Sequence, residues 1–290
     1  MRWVTVATED GPRACGVHQG EYVDVNAADP ELPASVRELL DLGTEWERRA
    51  RAALPRGVVR HDPAGARLLA PVPDARKIIC VGLNYRDHAA ESGVAPPEEP
   101  VLFSKYPTAL TGHLAPIVLP RVSHEVDYEA ELVVVIGRGG RHIPRERAFE
   151  HVGGYTVGHD VSARDWQLNK PGKQWMAGKT FDTFAPVGPM LVTPEEVPDP
   201  HNLGIRLRLN DQTMQDSNTK QLIFGVDELI AYLSQVFTLE PGDLIFTGTP
   251  PGVGMARKPP VWLQPGDVVE VEIDHLGTLR NPVVAEAGRS

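Results

Sequence analysis

The stretch VDYEAELVVVIG at residues 126–137 decides the fold. Its Val and Ile residues and its closing glycine predict a β-strand. Because successive side chains of a strand alternate between two faces, we expect Glu129 and Glu131 on the same face. The residues after them are apolar on both faces, which indicates a strand that enters a buried sheet. Two carboxylates at the start of such a strand would repel each other and lose hydration.

A third carboxylate follows in the stretch GHDVS at residues 158–162. On the next strand, Asp160 would complete with Glu129 and Glu131 an oxygen-ligand set for Mg²⁺, Mn²⁺ or Ca²⁺. A divalent cation would relieve the repulsion between the carboxylates. Taken alone, the two glutamates also fit a solvated strand edge and Asp160 fits a turn cap, since charged side chains are mostly exposed. The other motifs of the chain help to decide between these two interpretations.

Composition places the chain among ordinary globular proteins. It has 290 residues, of which 41% are hydrophobic and 23% are charged. The net charge of -10 argues against nucleic acid binding through a basic surface. Two cysteines, Cys15 and Cys80, provide no disulfide framework and no zinc-thiolate site. No apolar run has the length of a membrane span or a signal peptide core, so we expect a cytoplasmic protein with no membrane partner.

The order of patterns predicts two domains. Residues 1–72 predict a small N-terminal α+β domain, with short strands followed by one helix that begins after Ser35 and includes Trp46. Residues 73–290 are dominated by strands and contain an amphipathic helix at residues 227–237. Because strands and helices do not alternate regularly, an α+β or mixed-β domain is expected, and a doubly wound sheet is not.

Several common catalytic motifs are absent. No Gly-x-Gly-x-x-Gly follows a strand, and neither a Walker A loop nor a Gly-x-Ser-x-Gly elbow occurs, which argues against nucleotide binding and the commonest hydrolase triads.

His88 and Glu91 lie three residues apart on a predicted short helix and share a face. A carboxylate beside an imidazole fixes its tautomer and raises its basicity, which suits a general base. An exposed surface pair is the alternative.

Further polar residues follow the carboxylates. Arg164 and Gln167 come shortly after Asp160, and Lys179 stands in the stretch GKTF. A lysine near a metal can hold a carboxylate or stabilise an oxyanion, although each of these residues also fits a solvated surface. The glycine-rich stretch at residues 247–254 could cup an anionic group with its free amides, or form a plain tight turn.

Taken together, these stretches resemble the fumarylacetoacetate hydrolase family. The matching segments occur in family order within residues 77–284: VGLNYRDH (81–88), VDYEAEL (126–132), GHDVSARDWQ (158–167), GKTFDT (178–183) and TGTPPGVG (247–254). Two segments, VSARDWQ (161–167) and RKPPV (257–261), are most similar to the branch called fumarylacetoacetate hydrolase domain-containing protein 2.

The resemblance assigns roles to the carboxylates and to the predicted pair. It implies that Glu129, Glu131 and Asp160 are metal ligands, usually of Mg²⁺ or Mn²⁺. It also implies that His88 and Glu91 form the catalytic dyad on a segment that orders when substrate binds. A non-catalytic metal-binding or ligand-binding protein is an alternative of another class. The intact dyad argues against it.

The resemblance extends to the rest of the pocket. Lys179 matches the catalytic lysine that contacts substrate, and the matching substrate-binding positions are Arg164, Gln167 and Thr249. The family fold implied for the larger domain is a mixed β-roll, usually in a homodimer. The implied substrates are 2-oxo acids or 1,3-diketones. Hydrolysis of a C–C bond in an acylpyruvate or diketo acid is the first expectation, and decarboxylation or keto–enol tautomerisation of oxaloacetate, which the branch favours, is the alternative.

Overall fold

A computed structural model describes residues 1–43, 45–87 and 95–288. Within them, strands β1 to β18 are, in order, Arg2–Thr8, Gly11–His18, Glu21–Asp24, Arg60–His61, Ile78–Gly82, Val101–Lys105, Leu110–Thr111, Ile117–Leu119, Val126–Asp127, Ala130–Ile136, Val152–His159, Ser162–Ala163, Ala185–Val192, Gly204–Leu209, Gln212–Asn218, Leu244–Phe246, Val268–Ile273 and Gly277–Ala285. Helices α1 to α6 are Val25–Ala28, Val36–Asp41, Glu45–Ala53, Arg164–Asn169, Trp175–Lys179 and Val226–Val236. Short 3-10 helices are Leu54–Arg56, Pro107–Ala109, Arg145–His151, Pro194–Glu196, Thr219–Gln221 and Gly254–Ala256.

Most of these strands belong to one mixed sheet. Its order among the described strands is β4-β3-β2-β1-β13-β11-β10-β16-β5-β6, with β7 beside β13. Its neighbours are antiparallel except for the pairs β16–β5 and β13–β7. A second sheet has the order β15-β14-β17-β18-β8, and β9 pairs with β12. The predicted α+β fold with mixed sheets is therefore confirmed.

Strand β10 lies inside the large sheet and is buried at every position. Leu132 and Val134 contribute to one hydrophobic core, which the second sheet and α6 complete. Val133 and Val135 point to the other face and pack in a second core with α2 and α3. Burying a side chain of this kind contributes roughly 1.5–3 kcal/mol. The apolar run therefore reflects a strand covered on both faces, as predicted.

The stretch at residues 126–137 is two strands and not the single strand predicted. Strand β9 ends at Asp127 and pairs with β12, whereas β10 begins at Ala130 and pairs with β11. The carboxylate of Asp127 accepts the backbone N–H of Tyr128 at 2.8 Å, which removes that donor from the sheet. The interruption lies immediately before the carboxylates of the candidate site.

The helix predicted from Ser35 through Trp46 is also divided. Helix α2 begins after Ser35, whose hydroxyl accepts the N–H of Glu38 at 3.4 Å, as a helix cap does. Helix α2 ends at Asp41, and Gly43 has φ of +74°, a left-handed conformation that glycine adopts readily. Trp46 belongs to the separate helix α3. Helical spacing of apolar residues did not reveal the break, because the apolar residues of both helices pack into the same core.

The N-terminal residues continue the large sheet. Strand β1 pairs with β13 through Trp3 and Leu191. Helices α2 and α3 pack into the same core as β5 and β10. Residues 1–72 and 73–290 therefore share both a sheet and a core, and their division into two domains stays a prediction.

Candidate metal centre and active site

The three predicted ligands meet where β10 begins and β11 ends. Ala130 pairs with His159 across these strands, and the N–H of Asp160 donates to the carbonyl of Glu129 at 2.9 Å. One carboxylate oxygen from each of Glu129, Glu131 and Asp160 lies within 4.8 Å of the other two. All three side chains are buried. The antiparallel pairing thus gathers three acidic groups in one protected place.

These three carboxylates fit a hard divalent cation. Burial raises the pKa of Glu131 well above its ordinary value, and the charges of Asp160 and Glu129 raise it further. The N–H of Gly248 opposes this by donating to Glu131 at 2.7 Å. A doubly charged cation would relieve the repulsion, and carboxylate oxygens are the ligands that Mg²⁺ and Mn²⁺ prefer. Glu129, Glu131 and Asp160 are the residues that would hold it.

Lys179 is placed beside the carboxylates by the C-terminal end of α5. Its Nζ donates to Glu129 at 2.8 Å, to Asp160 at 2.7 Å and to the hydroxyl of Ser162 at 2.9 Å. Burial would lower the pKa of Lys179, but Asp160 and Glu129 outweigh it and raise the pKa. These bonds account for the three donors of an ammonium group. An oxygen of a substrate must therefore share or replace one of them to contact Lys179.

Helix α4 supplies the next two predicted residues, Arg164 and Gln167. The guanidinium of Arg164 donates to Asp127 at 2.9 Å, to Glu129 at 2.6 Å and to Gln167 at 2.9 Å. Burial would lower the pKa of Arg164, but Asp127 and Glu129 raise it above its ordinary value. Burial would likewise raise the pKa of Glu129, but Lys179 and Arg164 hold it well below its usual range. Arg164 is therefore a permanent positive charge beside the carboxylates.

The glycine-rich loop after β16 forms another side of the site. Gly248 has φ of +101°, and its N–H points at the carboxylate of Glu131. The anionic group that this amide binds is therefore a carboxylate of the protein itself, that of Glu131. Thr249 accepts from the amide of Gln215 at 2.9 Å, which orients its hydroxyl group.

The site contains a cavity of about 210 Å³. Its polar lining consists of Glu129, Glu131, Asp160, Arg164, Gln167, Lys179 and Thr249. Its apolar lining consists of Val81, Leu83, Phe103, Leu168, Trp175, Val253 and Met255. This volume is below the roughly 300–1,000 Å³ typical of sites for drug-sized ligands. The cavity therefore has the size of a site for a small molecule.

The predicted site residues that the structure describes all line this cavity. The predicted catalytic pair, His88 and Glu91, lies outside the described residues. Their assignment therefore stays a prediction from the resemblance.

Two buried residues of the site were not singled out from the sequence. Asp127 accepts the N–H groups of Gly254 and Met255, in addition to Arg164, and so ties the cavity wall to α4. The alternation that pairs Glu129 with Glu131 places Asp127 on the same face and was a usable signal. Lys105 gave no such signal, because lysine is rarely buried. Burial lowers the pKa of Lys105, although the charge of Asp160 opposes that effect.

Comparison with known proteins agrees with the geometry. The model of the fumarylacetoacetate (FAA) hydrolase C-terminal family matches residues 77–284. The chain is 52% identical over 265 residues to a protein of Xenopus laevis named oxaloacetate tautomerase fahd2, mitochondrial, covering 91% of this chain and 83% of the relative. The name of this relative agrees with the branch predicted from the sequence.

Solved structures give the same result. The fumarylacetoacetate hydrolase of Exiguobacterium antarcticum superposes with a TM-score of 0.86 at 37% identity, covering 99% of this chain and 100% of that chain. The maleylpyruvate hydrolase of Sphingobium sp. SYK-6, solved in complex with a manganese(II) ion and pyruvate, superposes with a TM-score of 0.81 at 35% identity and the same coverage. The family model spans most of the chain, and these likenesses extend to both ends of it. This protein belongs to the fumarylacetoacetate hydrolase family.

Proposed function

We propose that this protein is a divalent-metal-dependent oxaloacetate tautomerase, which interconverts the keto and enol forms of oxaloacetate. The observation that carries the proposal is the small cavity in which three carboxylates meet Lys179 and Arg164. Such a cavity suits a four-carbon oxo acid. The name of the Xenopus laevis relative supports the same substrate.

The reaction moves protons and leaves the carbon skeleton unchanged. A proton leaves the carbon next to the 2-oxo group, the electrons of that C–H bond form a C=C bond, and the 2-oxo oxygen gains a proton. A divalent cation held by the carboxylates would stabilise the negative charge that develops on the substrate. Lys179 and Arg164 attract the dianionic acid and favour charge on its oxygens. We assign the proton transfer to His88 and Glu91, on the resemblance alone.

Hydrolysis of a C–C bond, the first expectation from the sequence, is the second candidate. The solved maleylpyruvate hydrolase, at 35% identity and in complex with manganese(II) and pyruvate, favours it. We rank it below tautomerisation because the Xenopus laevis relative, which is 52% identical over 265 residues, is named an oxaloacetate tautomerase. In hydrolysis, the imidazole of His88 would accept a proton from water, and water would attack the distal carbonyl of the substrate.

A comparison of two substrates tests the proposal. Oxaloacetate and acetylpyruvate are each followed by ultraviolet absorbance with Mg²⁺, with Mn²⁺ and with EDTA, and pyruvate is measured separately. We expect metal-dependent acceleration of the decay of enol-oxaloacetate without pyruvate formation. Pyruvate formed from oxaloacetate faster than in the same metal solution without protein would instead show a decarboxylase, and metal-dependent loss of acetylpyruvate would show a hydrolase. No metal-dependent change with either substrate would favour a non-catalytic binding protein.

A matched pair of variants links the activity to the cavity. Lys179→Met is expected to lower kcat by at least a hundredfold, because a buried cation beside the reacting oxygens is lost. Lys220→Met changes an exposed lysine outside the cavity and is expected to retain parental activity. Equal activity of both variants would remove Lys179 from the mechanism.

We propose a small-molecule 2-oxo acid substrate and a homodimer, the latter from the resemblance. None of the described helices has the length and apolar character needed to cross a membrane. The sequence predicts a cytoplasmic location, whereas the Xenopus laevis relative is named as mitochondrial.

A further inference from the structure

Lys105, at the C-terminal end of β6, has a fully buried side chain. Its ammonium group donates to the carbonyl of Val161 at 3.1 Å, to that of Phe184 at 2.8 Å and to that of Lys179. Val161 precedes β12, Lys179 is the last residue of α5, and Phe184 precedes β13. Because buried carbonyls need a donor, one ammonium group satisfies the ends of several elements at once.

The same ammonium group also faces the metal centre. Its Nζ lies 2.6 Å from Oδ1 of Asp160, so the two side chains form a buried ion pair. The other oxygen of Asp160, Oδ2, accepts from Lys179 at 2.7 Å. Asp160 is therefore held between two buried lysines, one at each oxygen.

The two lysines differ in their access to substrate. Lys179 lines the cavity, whereas Lys105 is absent from the lining. Lys105 instead binds the main chain of Lys179 and the side chain of Asp160. It therefore acts on both groups from behind, and contact with a molecule in the cavity is not part of its role.

We propose that Lys105 is a positioning residue, which holds the carboxylate of Asp160 and the main chain of Lys179 at a fixed separation. This inference rests on the proposed metal centre. By fixing Oδ1 of Asp160, Lys105 sets the direction of Oδ2, the oxygen that lies beside Lys179 at the cavity. Groups that orient metal ligands from outside the ligand set commonly change metal affinity tenfold to a hundredfold when they are removed.

The first test needs neither metal nor substrate. Lys105→Gln keeps N–H donors but removes the charge, and Lys179→Met removes the ammonium at the other oxygen of Asp160. In EDTA, we expect the shift in urea midpoint of the double variant to differ from the sum of the single shifts, because both cations act on one carboxylate. Additive shifts would overturn the proposal.

A lysine outside the cavity provides the matched control. Lys77 is partly buried and pairs with Glu240 and Asp243. We expect Lys77→Met and Lys179→Met to shift the urea midpoint additively, because these lysines share no partner. Lys105→Met, which keeps the length of the side chain, replaces Lys105→Gln if that variant does not fold, with the same expected results.

The second test measures Mn²⁺ binding by calorimetry without substrate. We expect Lys105→Gln to weaken Mn²⁺ binding tenfold to a hundredfold, Lys105→Arg to recover part of the loss, and Lys77→Met to match the parent. Parental affinity in folded Lys105→Gln would overturn the proposal. Failure of the parent itself to bind Mn²⁺ would overturn the metal centre, and the cycle in EDTA distinguishes that result from a failure of Lys105 alone.

Discussion

At the scale of single residues, the site is a balance of buried charges. Four carboxylates, Asp127, Glu129, Glu131 and Asp160, lie beside three cations, Lys105, Lys179 and Arg164. Each of these cations contacts at least one carboxylate, whereas Glu131 accepts the backbone N–H of Gly248 and pairs with none of the three among the described residues. The raised pKa of Glu131 follows from this position, since burial and two neighbouring charges disfavour its ionised form.

Replacing Glu131 by Gln should therefore separate stability from metal binding. The neutral amide keeps an oxygen for the N–H of Gly248, so we expect Glu131→Gln to raise the free energy of unfolding in EDTA by about 1–2 kcal/mol. The same change should weaken Mn²⁺ binding at least tenfold, because a charged ligand is lost. Urea unfolding and calorimetry measure the two effects. A loss of metal-free stability would contradict the assigned repulsion, and Glu272→Gln at the second sheet is the control.

A second prediction concerns Asp127, whose carboxylate joins Arg164 to the loop at Gly254 and Met255. We expect Asp127→Asn to lower the free energy of unfolding by about 1–3 kcal/mol, because the buried guanidinium of Arg164 loses one of its two carboxylate partners. Denaturant unfolding measures the loss. Asp211→Asn, at an exposed turn, should change stability by less than about 0.5 kcal/mol. Similar values for both variants would show that Asp127 does not hold the wall together.

At the scale of elements, α5 brings the charged and the apolar sides of the cavity together. Trp175 and Lys179 lie four residues apart and therefore on the same face of this helix. The ring of Phe103 on β6 packs at 5.6 Å from the ring of Trp175, and Nζ of Lys179 lies 4.9 Å from the Phe103 ring centre. The apolar wall thus depends on contact between α5 and β6.

Gly82, at the end of β5, is the position where this wall can be disturbed without changing a charge. A Cβ added to Gly82 would lie 2.5 Å from a ring carbon of Trp175, so Gly82→Ala must displace the ring. Overpacking of this kind costs about 1–3 kcal/mol. We expect Gly82→Ala to raise KM for oxaloacetate by about tenfold while Mn²⁺ affinity stays parental, as steady-state kinetics and calorimetry will show.

The control for this prediction is a glycine with open space around it. An added Cβ at Gly65 would meet no atom within 4 Å, so Gly65→Ala should leave KM unchanged. An unchanged KM in Gly82→Ala would mean that Trp175 does not limit the cavity. A weakened Mn²⁺ affinity would mean that the wall and the metal centre are not independent.

At the scale of the whole molecule, the structure joins both halves of the chain. Strand β1 extends the large sheet at β13, and the core that contains α2 also contains Val133 and Phe246. An independently folding N-terminal unit would have to expose this shared core when it separates. We therefore propose that the boundary at residue 72 separates two patterns of secondary structure, and that the two parts of the chain unfold together.

The two thiols can test this. Cys15 on β2 and Cys80 on β5 are both buried, and burial raises the pKa of Cys15 to about 12 and that of Cys80 well above its ordinary value. A thiol reagent should therefore react only after unfolding. We expect the variants Cys15→Ser and Cys80→Ser, each with one thiol, to report the same opening free energy across urea concentrations. Earlier opening at Cys15 would show that residues 1–72 unfold separately.

The sequence by itself determined the mixed-β class, the buried strand β10, the family and the residues of the acidic cluster. Those features depend on alternation along one strand and on short motifs, which are local and can be read in order. The sequence did not reveal the break at Tyr128 or the division between α2 and α3, because an apolar pattern continues across both interruptions.

Only the tertiary structure decided which groups neutralise the carboxylates and how large the cavity is. Lys105 reaches Asp160 because β6, the end of β11 and the end of α5 pack together, and no spacing along the chain encodes that distance. Contacts between distant segments depend on strand pairing and packing, so they are determined when the chain folds.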